Sequence, residues 1–145
     1  MLRRADLAAL HQLGIQMSQA AAGRHLPIVI QIRSGERLVY VAALPGSTAS
    51  NDEWAPRKAR VAQHFERSSM LVRRIHERDG VDMHTRHTLS PDRFQAHGGA
   101  FPLRVDGVGV IGTVVVSGLP QIDDHDFVVE QLTIYLNSTE PRRSP

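Results

Sequence analysis

The chain has 145 residues, 41% of them hydrophobic, with seventeen basic residues against fifteen acidic ones. That is enough for one domain with one core, and too apolar for a disordered chain. The absence of cysteine excludes disulfides, thiolate metal sites and a cysteine nucleophile.

Sixteen of the basic residues are arginines spread along the whole sequence, Lys58 is the only lysine, and aromatics make up 5%. A nucleic-acid partner calls for basic residues gathered on one face, so none is expected. No apolar run approaches the ~20 residues of a membrane helix, and the start lacks the pattern of a signal peptide. The expectation is a soluble, cytoplasmic protein of one domain over 1–145, with a flexible tail from about 138 to 145 that includes Arg142 and Arg143.

Residues 3–22 predict a helix, with Leu7, Leu10, Leu13 and Met17 at helical spacing and Gly23 as a stop. Ile28, Ile30 and Ile32 alternate with more mixed residues, and Leu38 to Leu44 continues in extended form after the turn at Ser34-Gly35-Glu36. This predicts a hairpin. A long helix is expected from about Asn51 to Arg78. Ser50 and Glu53 offer a capping box, Pro56 marks a kink or the true start, and the inward face is Trp54, Lys58, Val61, Phe65, Ser68, Val72 and Ile75.

Residues 81–96 give no clear assignment beyond a capped turn at Ser90-Pro91. Asp106-Gly107 between two apolar runs predicts a second hairpin, and the run from Val108 to Val116 predicts a strand covered on both faces. A last helix is expected over about Ile122 to Asn137, with Asp123, Asp124 and Asp126 at its positive end and His125 in register with Val128, Val129, Leu132 and Leu136. Two hairpins separated by helix predict an α+β domain, an antiparallel sheet with helices packed on it.

Three segments carry residues suited to chemistry. His97 precedes the pair Gly98-Gly99, where backbone can approach a ligand closely or take a positive φ. The histidine can bind a metal, including haem iron, move a proton, or simply close a turn. The turn at Ser117-Gly118 feeds a helix start, but Asp123, Asp124 and Asp126 there would cap the helix themselves and repel a phosphate. His125 reads as an inward residue of the core or an interface. Lys58 lies on an apolar stripe beside Arg57. As the single lysine it suits an anion pocket, amine chemistry, or a snorkelling role near a helix end. Ser68-Ser69 faces a ligand or permits close packing. His84-x-x-His87 has the wrong spacing for the helical zinc motif, and no metal site is expected.

The ordered set resembles an uncharacterised family of the GlcG-like, or haem-degrading-domain-like, superfamily. The residues that carry the resemblance are Asn51, Trp54, Arg57, Lys58 and Val61, then Phe65, Ser68 and Ser69. After these come His97-Gly98-Gly99, Phe101-Pro102, Gly107-Val108-Gly109 and Gly112, then Val116 to Pro120 and Asp123-Asp124-His125. It spans about residues 15–137, and a fungal relative is linked to delivery of tail-anchored membrane proteins. The resemblance implies a GlcG-like, profilin-like arrangement and a homo-oligomer, a large ring being one form. It also implies a common pocket or interface with Trp54, Arg57, Lys58, His97, Gly98, Gly99, Asp124 and His125; Ser68 joins them as a candidate from its own position. Haem is the cofactor it suggests, with no ligand set attached. The leading expectation is a small-molecule or haem-binding protein, with haem degradation as an associated activity. A non-enzymatic oligomeric scaffold or adaptor is second, and lysine chemistry third.

Overall fold

A computed structural model describes residues 1–139. Its elements are α1 (Leu7–Gly23), β1 (Val29–Ser34), β2 (Arg37–Ala43), α2 (Ala49–Phe65), α3 (Ser69–Asp79), α4 (Met83–His87), β3 (Ala100–Val105), β4 (Gly109–Ser117) and α5 (Gln121–Thr139). Both predicted hairpins form. They join through β1 and β4 into one antiparallel sheet of order β2-β1-β4-β3. Pro102, which cannot donate to a ladder, sits on the edge strand β3.

The alternation along β1 and β4 divides the core in two. Ile30, Ile32, Val114 and Val116 face one way and pack with Leu10, Leu13 and Met17 of α1 and Phe127 and Val128 of α5. Val115 and Ala100 face the other way, against Ala55, Ala59 and Ala62 of α2. Small residues on this helix face let α2 lie close to the sheet. β4 is thus buried on both sides from Gly112 to Ser117, as its apolar run predicts. The result is an α+β domain of three layers.

Several boundaries differ from the sequence expectation. α1 begins at Leu7 because Asp6 caps it, accepting from the Ala9 amide at 2.8 Å. Leu2, outside the helix, forms a parallel bridge with Val105 on the outer edge of β3. The long helix is two helices. It starts at Ala49, where Thr48 and Asn51 form the capping box assigned to Ser50 and Glu53, and it runs through Pro56. It stops at Glu66, whose φ of 53° is left-handed, and Ser68 caps the next helix by accepting from the Leu71 amide at 3.2 Å. The apolar spacing stayed in phase across this break, so periodicity alone could not reveal it. α4, capped by Asp82, was not predicted. In α5 the buried residues are Asp124, Phe127, Val128, Gln131 and Tyr135, so the inward stripe sits one position away from the one drawn through His125. That helix includes Ser138 and Thr139; the rest of the expected tail, with Arg142 and Arg143, lies outside the described residues.

Candidate functional site

Lys58, His97 and Asp124, among the polar residues singled out by the sequence, meet at the end of the sheet where β4 stops and β3 begins. Lys58 projects from the sheet side of α2 and is only 3% exposed. Its Nζ donates to the carbonyls of Gly98 at 2.9 Å and Val116 at 2.6 Å, and to Asp124 Oδ2 at 3.2 Å. An ammonium has three N–H donors, and here each has an acceptor. Asp124, in the first turn of α5 and 2% exposed, also accepts from the amides of Gly118 at 3.3 Å and Leu119 at 3.0 Å. The carboxylate therefore closes the turn between β4 and α5; the amides it holds precede the helix, so this is not the helix capping expected of the acidic cluster.

The two charges oppose the environment together. Burial pushes Lys58 below the ordinary lysine range, against the pull of Asp124. Burial pushes Asp124 above the ordinary carboxylate range, against Lys58 and the Leu119 and Gly118 amides. Each charge is buried only because the other, and the backbone, satisfies it. This geometry does not support amine chemistry: a free lone pair on Lys58 would require giving up buried hydrogen bonds. Nor is the side chain snorkelling toward solvent.

Gly98 and Gly99 form the floor of this arrangement. Gly99 has φ of 125°, and a Cβ there would come 2.7 Å from Lys58 Nζ and 3.0 Å from Asp124 Cβ. Gly99 makes room for the ion pair and for the Val116 carbonyl, whereas a Cβ on Gly98 would meet the Gln121 carbonyl and Met70. The Gly98 amide is held by the Gln121 side chain at 3.1 Å.

Above the ion pair lies an open hollow of about 200 Å³, lined by Asn51, Trp54, Lys58, His97, Ser117, Gly118, Leu119, Gln121 and Asp124. His97 stands edge-on to Trp54, with ring centroids 4.7 Å apart. The Arg57 guanidinium lies 5.5 Å from the Trp54 ring centre. Burial, then the charges of Arg73 and Lys58, hold His97 below the usual histidine range, so its imidazole is neutral at neutral pH. No hydrogen bond to another described residue occupies either ring nitrogen.

Of the sequence candidates, Trp54, Lys58, His97 and Asp124 line the hollow, Gly98 and Gly99 support it, and Arg57 stacks beside it. Ser68 is absent from it, being the N-cap of α3. Its neighbour Ser69 is fully buried and accepts from the Ala100 amide at 3.1 Å, which fixes the start of β3. His125 also lies apart, 5.0 Å from the Phe101 ring, with a buried Nδ1 that has no partner among the described residues. The turn Ser117-Gly118-Leu119 completes the lining together with two further polar residues, Asn51 and Gln121, that the sequence did not mark as candidates. Both occupy first turns of helices, where a polar residue reads as a cap.

The architecture is that of a GlcG-like α+β domain. The Klebsiella pneumoniae protein ORFY, of the DUF336 family, superposes with a TM-score of 0.77 at 18% identity, covering 97% of this chain and 95% of that one. The sequence profile described as haem degrading protein HbpS-like matches residues 6–133, and the chain belongs to that family. A UPF0303 protein of Streptomyces avermitilis is 46% identical over 123 residues, 85% of this chain and 76% of the relative. The crystal structure of Ybr137w gives a TM-score of 0.81 at 23% identity, covering 96% of this chain and 83% of that one. The crystal structure of a PduOC:heme complex gives 0.76 at 21%, covering 89% and 93%. At these identities the structural likeness is one of fold. The family and the fold expected from the motifs are both found. Among the described residues no helix is long and apolar enough to cross a membrane.

Proposed function

We propose that the protein is a haem-binding protein of the cytoplasm, with the hollow beside His97 as its site. The observation that carries this reading is the half-buried imidazole of His97, with no hydrogen-bond partner among the described residues, which opens onto a hollow walled by an indole. Family membership and the fold shared with a protein crystallised with haem support it. The donor set fits: a neutral imidazole for iron, the Trp54 indole against a flat macrocycle, and the Arg57 guanidinium for a carboxylate. The volume, about 200 Å³, falls below the roughly 300–1,000 Å³ of pockets that enclose a ligand, so this hollow takes the edge of the molecule. Haem bound here would supply the iron redox chemistry, and His97, Trp54 and Arg57 would hold it against a wall rigidified by the Lys58–Asp124 pair.

The working unit in this reading is a homo-oligomer. β2 leaves its outer edge unpaired, with Leu38 45% and Val41 48% exposed, and such an edge is apt for association. A scaffold without a ligand rests on that same edge and is the second reading. Hemin titration followed by absorbance separates them. A saturable Soret shift that is lost in His97→Ala and kept in His125→Ala is the expected result. No shift, together with intact assembly by light scattering, leaves the scaffold. Adding ascorbate under air to the same samples reads haem degradation as decay of that band.

A further inference from the structure

A larger cavity lies away from the hollow and shares no lining residue with it. It holds about 500 Å³ between α2, the turn at Gly35, and the α2-facing side of β1 and β4. Its walls are of two kinds. Leu38, Pro56, Ala59 and Phe94 make an apolar side. Arg33, Arg60 and Arg93 make a cationic one, and among the described residues none of the three forms an ion pair, even with Glu36, the carboxylate on the lining.

Arg33 and Thr113 are direct neighbours across the β1–β4 ladder, and Arg33 sits where the β1–β2 register shifts. A bulge of this kind re-aims a side chain. Arg33 Nη2 is fixed by the Gln31 side chain at 2.7 Å, which leaves Nη1 buried without a partner among the described residues. Thr113 is 1% exposed, and its Oγ1 has no partner either. Gln63 Oε1 is a third such atom on the same wall. The amide of a glutamine can turn to present its NH₂ instead. A buried polar atom left unpaired has lost its hydration without compensation, so three on one cavity wall ask for a common cause. Burial, and then the charge of Arg60, also press against the cation at Arg33, and no counter-charge in the described chain relieves it.

We propose that this cavity binds an organic anion: a small molecule with an apolar body and one carboxylate or phosphate group. Arg33, Arg60 and the Thr113 hydroxyl hold the charged group, and Phe94, Pro56 and Leu38 hold the body. A bare inorganic ion leaves most of the volume and the apolar wall unused.

The test is calorimetric titration of the full chain with benzoate and with phenyl phosphate, set against inorganic phosphate and benzyl alcohol. The expected result is saturable binding of at least one aromatic anion, at least tenfold tighter than inorganic phosphate or the neutral alcohol. Whichever of benzoate and phenyl phosphate binds tighter identifies the charged group. Arg33→Gln and Thr113→Val each weaken it tenfold or more, whereas exposed Arg67→Gln does not. Thr113→Val also folds at least as well as the parent, since it removes an unpaired buried hydroxyl without changing size. It therefore keeps the test readable if Arg33→Gln unfolds. Equal binding of the neutral alcohol, unchanged affinity in Thr113→Val, or no saturable binding of either aromatic anion overturns the proposal.

Discussion

Lys58 Nζ and Asp124 Oδ2 lie 3.2 Å apart, and this contact ties α2 on one face of the sheet to α5 on the other. It crosses the end of the sheet through the carbonyls of Gly98 and Val116. Breaking one side of a buried pair strands the other charge. Lys58→Met should therefore cost about 3–5 kcal/mol, and the double variant Lys58→Met/Asp124→Leu should recover a large part of it. Urea denaturation of both single variants and the double gives the coupling. Losses that simply add would contradict a coupled pair.

Gly99 is the position where that pair and the backbone come closest. Gly99→Ala meets a positive φ and a Cβ position already crowded by the Val116 carbonyl, Lys58 and Asp124. Gly107 also has a positive φ, 74°, but nothing stands within 4 Å of its Cβ position. A left-handed φ alone costs a residue with a Cβ about 1–2 kcal/mol. Gly107→Ala should lose about that much, and Gly99→Ala more than 2 kcal/mol with weakened hemin binding. Equal losses at the two positions would mean that the ion pair does not need the glycine.

The elements that depend on local pattern were legible in the sequence. The Asp106-Gly107 hairpin, the alternating β1 and the doubly covered β4 all follow from spacing. The break between α2 and α3 was hidden because Phe65, Ser68 and Val72 keep helical phase, although Ser68 carried the cap signal. Trp54, Lys58, His97 and Asp124 could be grouped through motif order, since nothing local brings positions 58 and 124 together. Ser68 was misplaced for the same reason that it was noticed: serine before a helix is a cap more readily than a ligand. The arginine-lined cavity escaped notice altogether. Its one signal was Arg33 and Thr113 on the otherwise apolar runs of two strands, and only their pairing across the sheet makes them a site.

Three histidines are held below the ordinary range and set a pH dependence. Desolvation, and then the nearby charges of His76, Arg86 and His64, hold His87 low. Burial, joined at His97 by the charges of Arg73 and Lys58, holds His97 low, and burial holds His125 low against the pull of Asp126. The folded chain then takes up these protons less readily than the unfolded chain. The stability they contribute is fully present above the unfolded value of 6.5 and is lost as pH falls through the folded values. The urea midpoint should drop between about pH 7 and about pH 5. His125→Phe should flatten that drop and, by removing the unpartnered Nδ1, add about 1 kcal/mol at neutral pH. A midpoint that rises on acidification would contradict the assignment.

The most direct measurement of the central claim is a crystal structure of the protein with hemin. The account predicts iron within bonding distance of a His97 ring nitrogen, with the Trp54 indole against the macrocycle and the Lys58–Asp124 contact intact beneath it. Iron on His125 or another histidine, or a macrocycle seated in the Arg33 cavity, would contradict it.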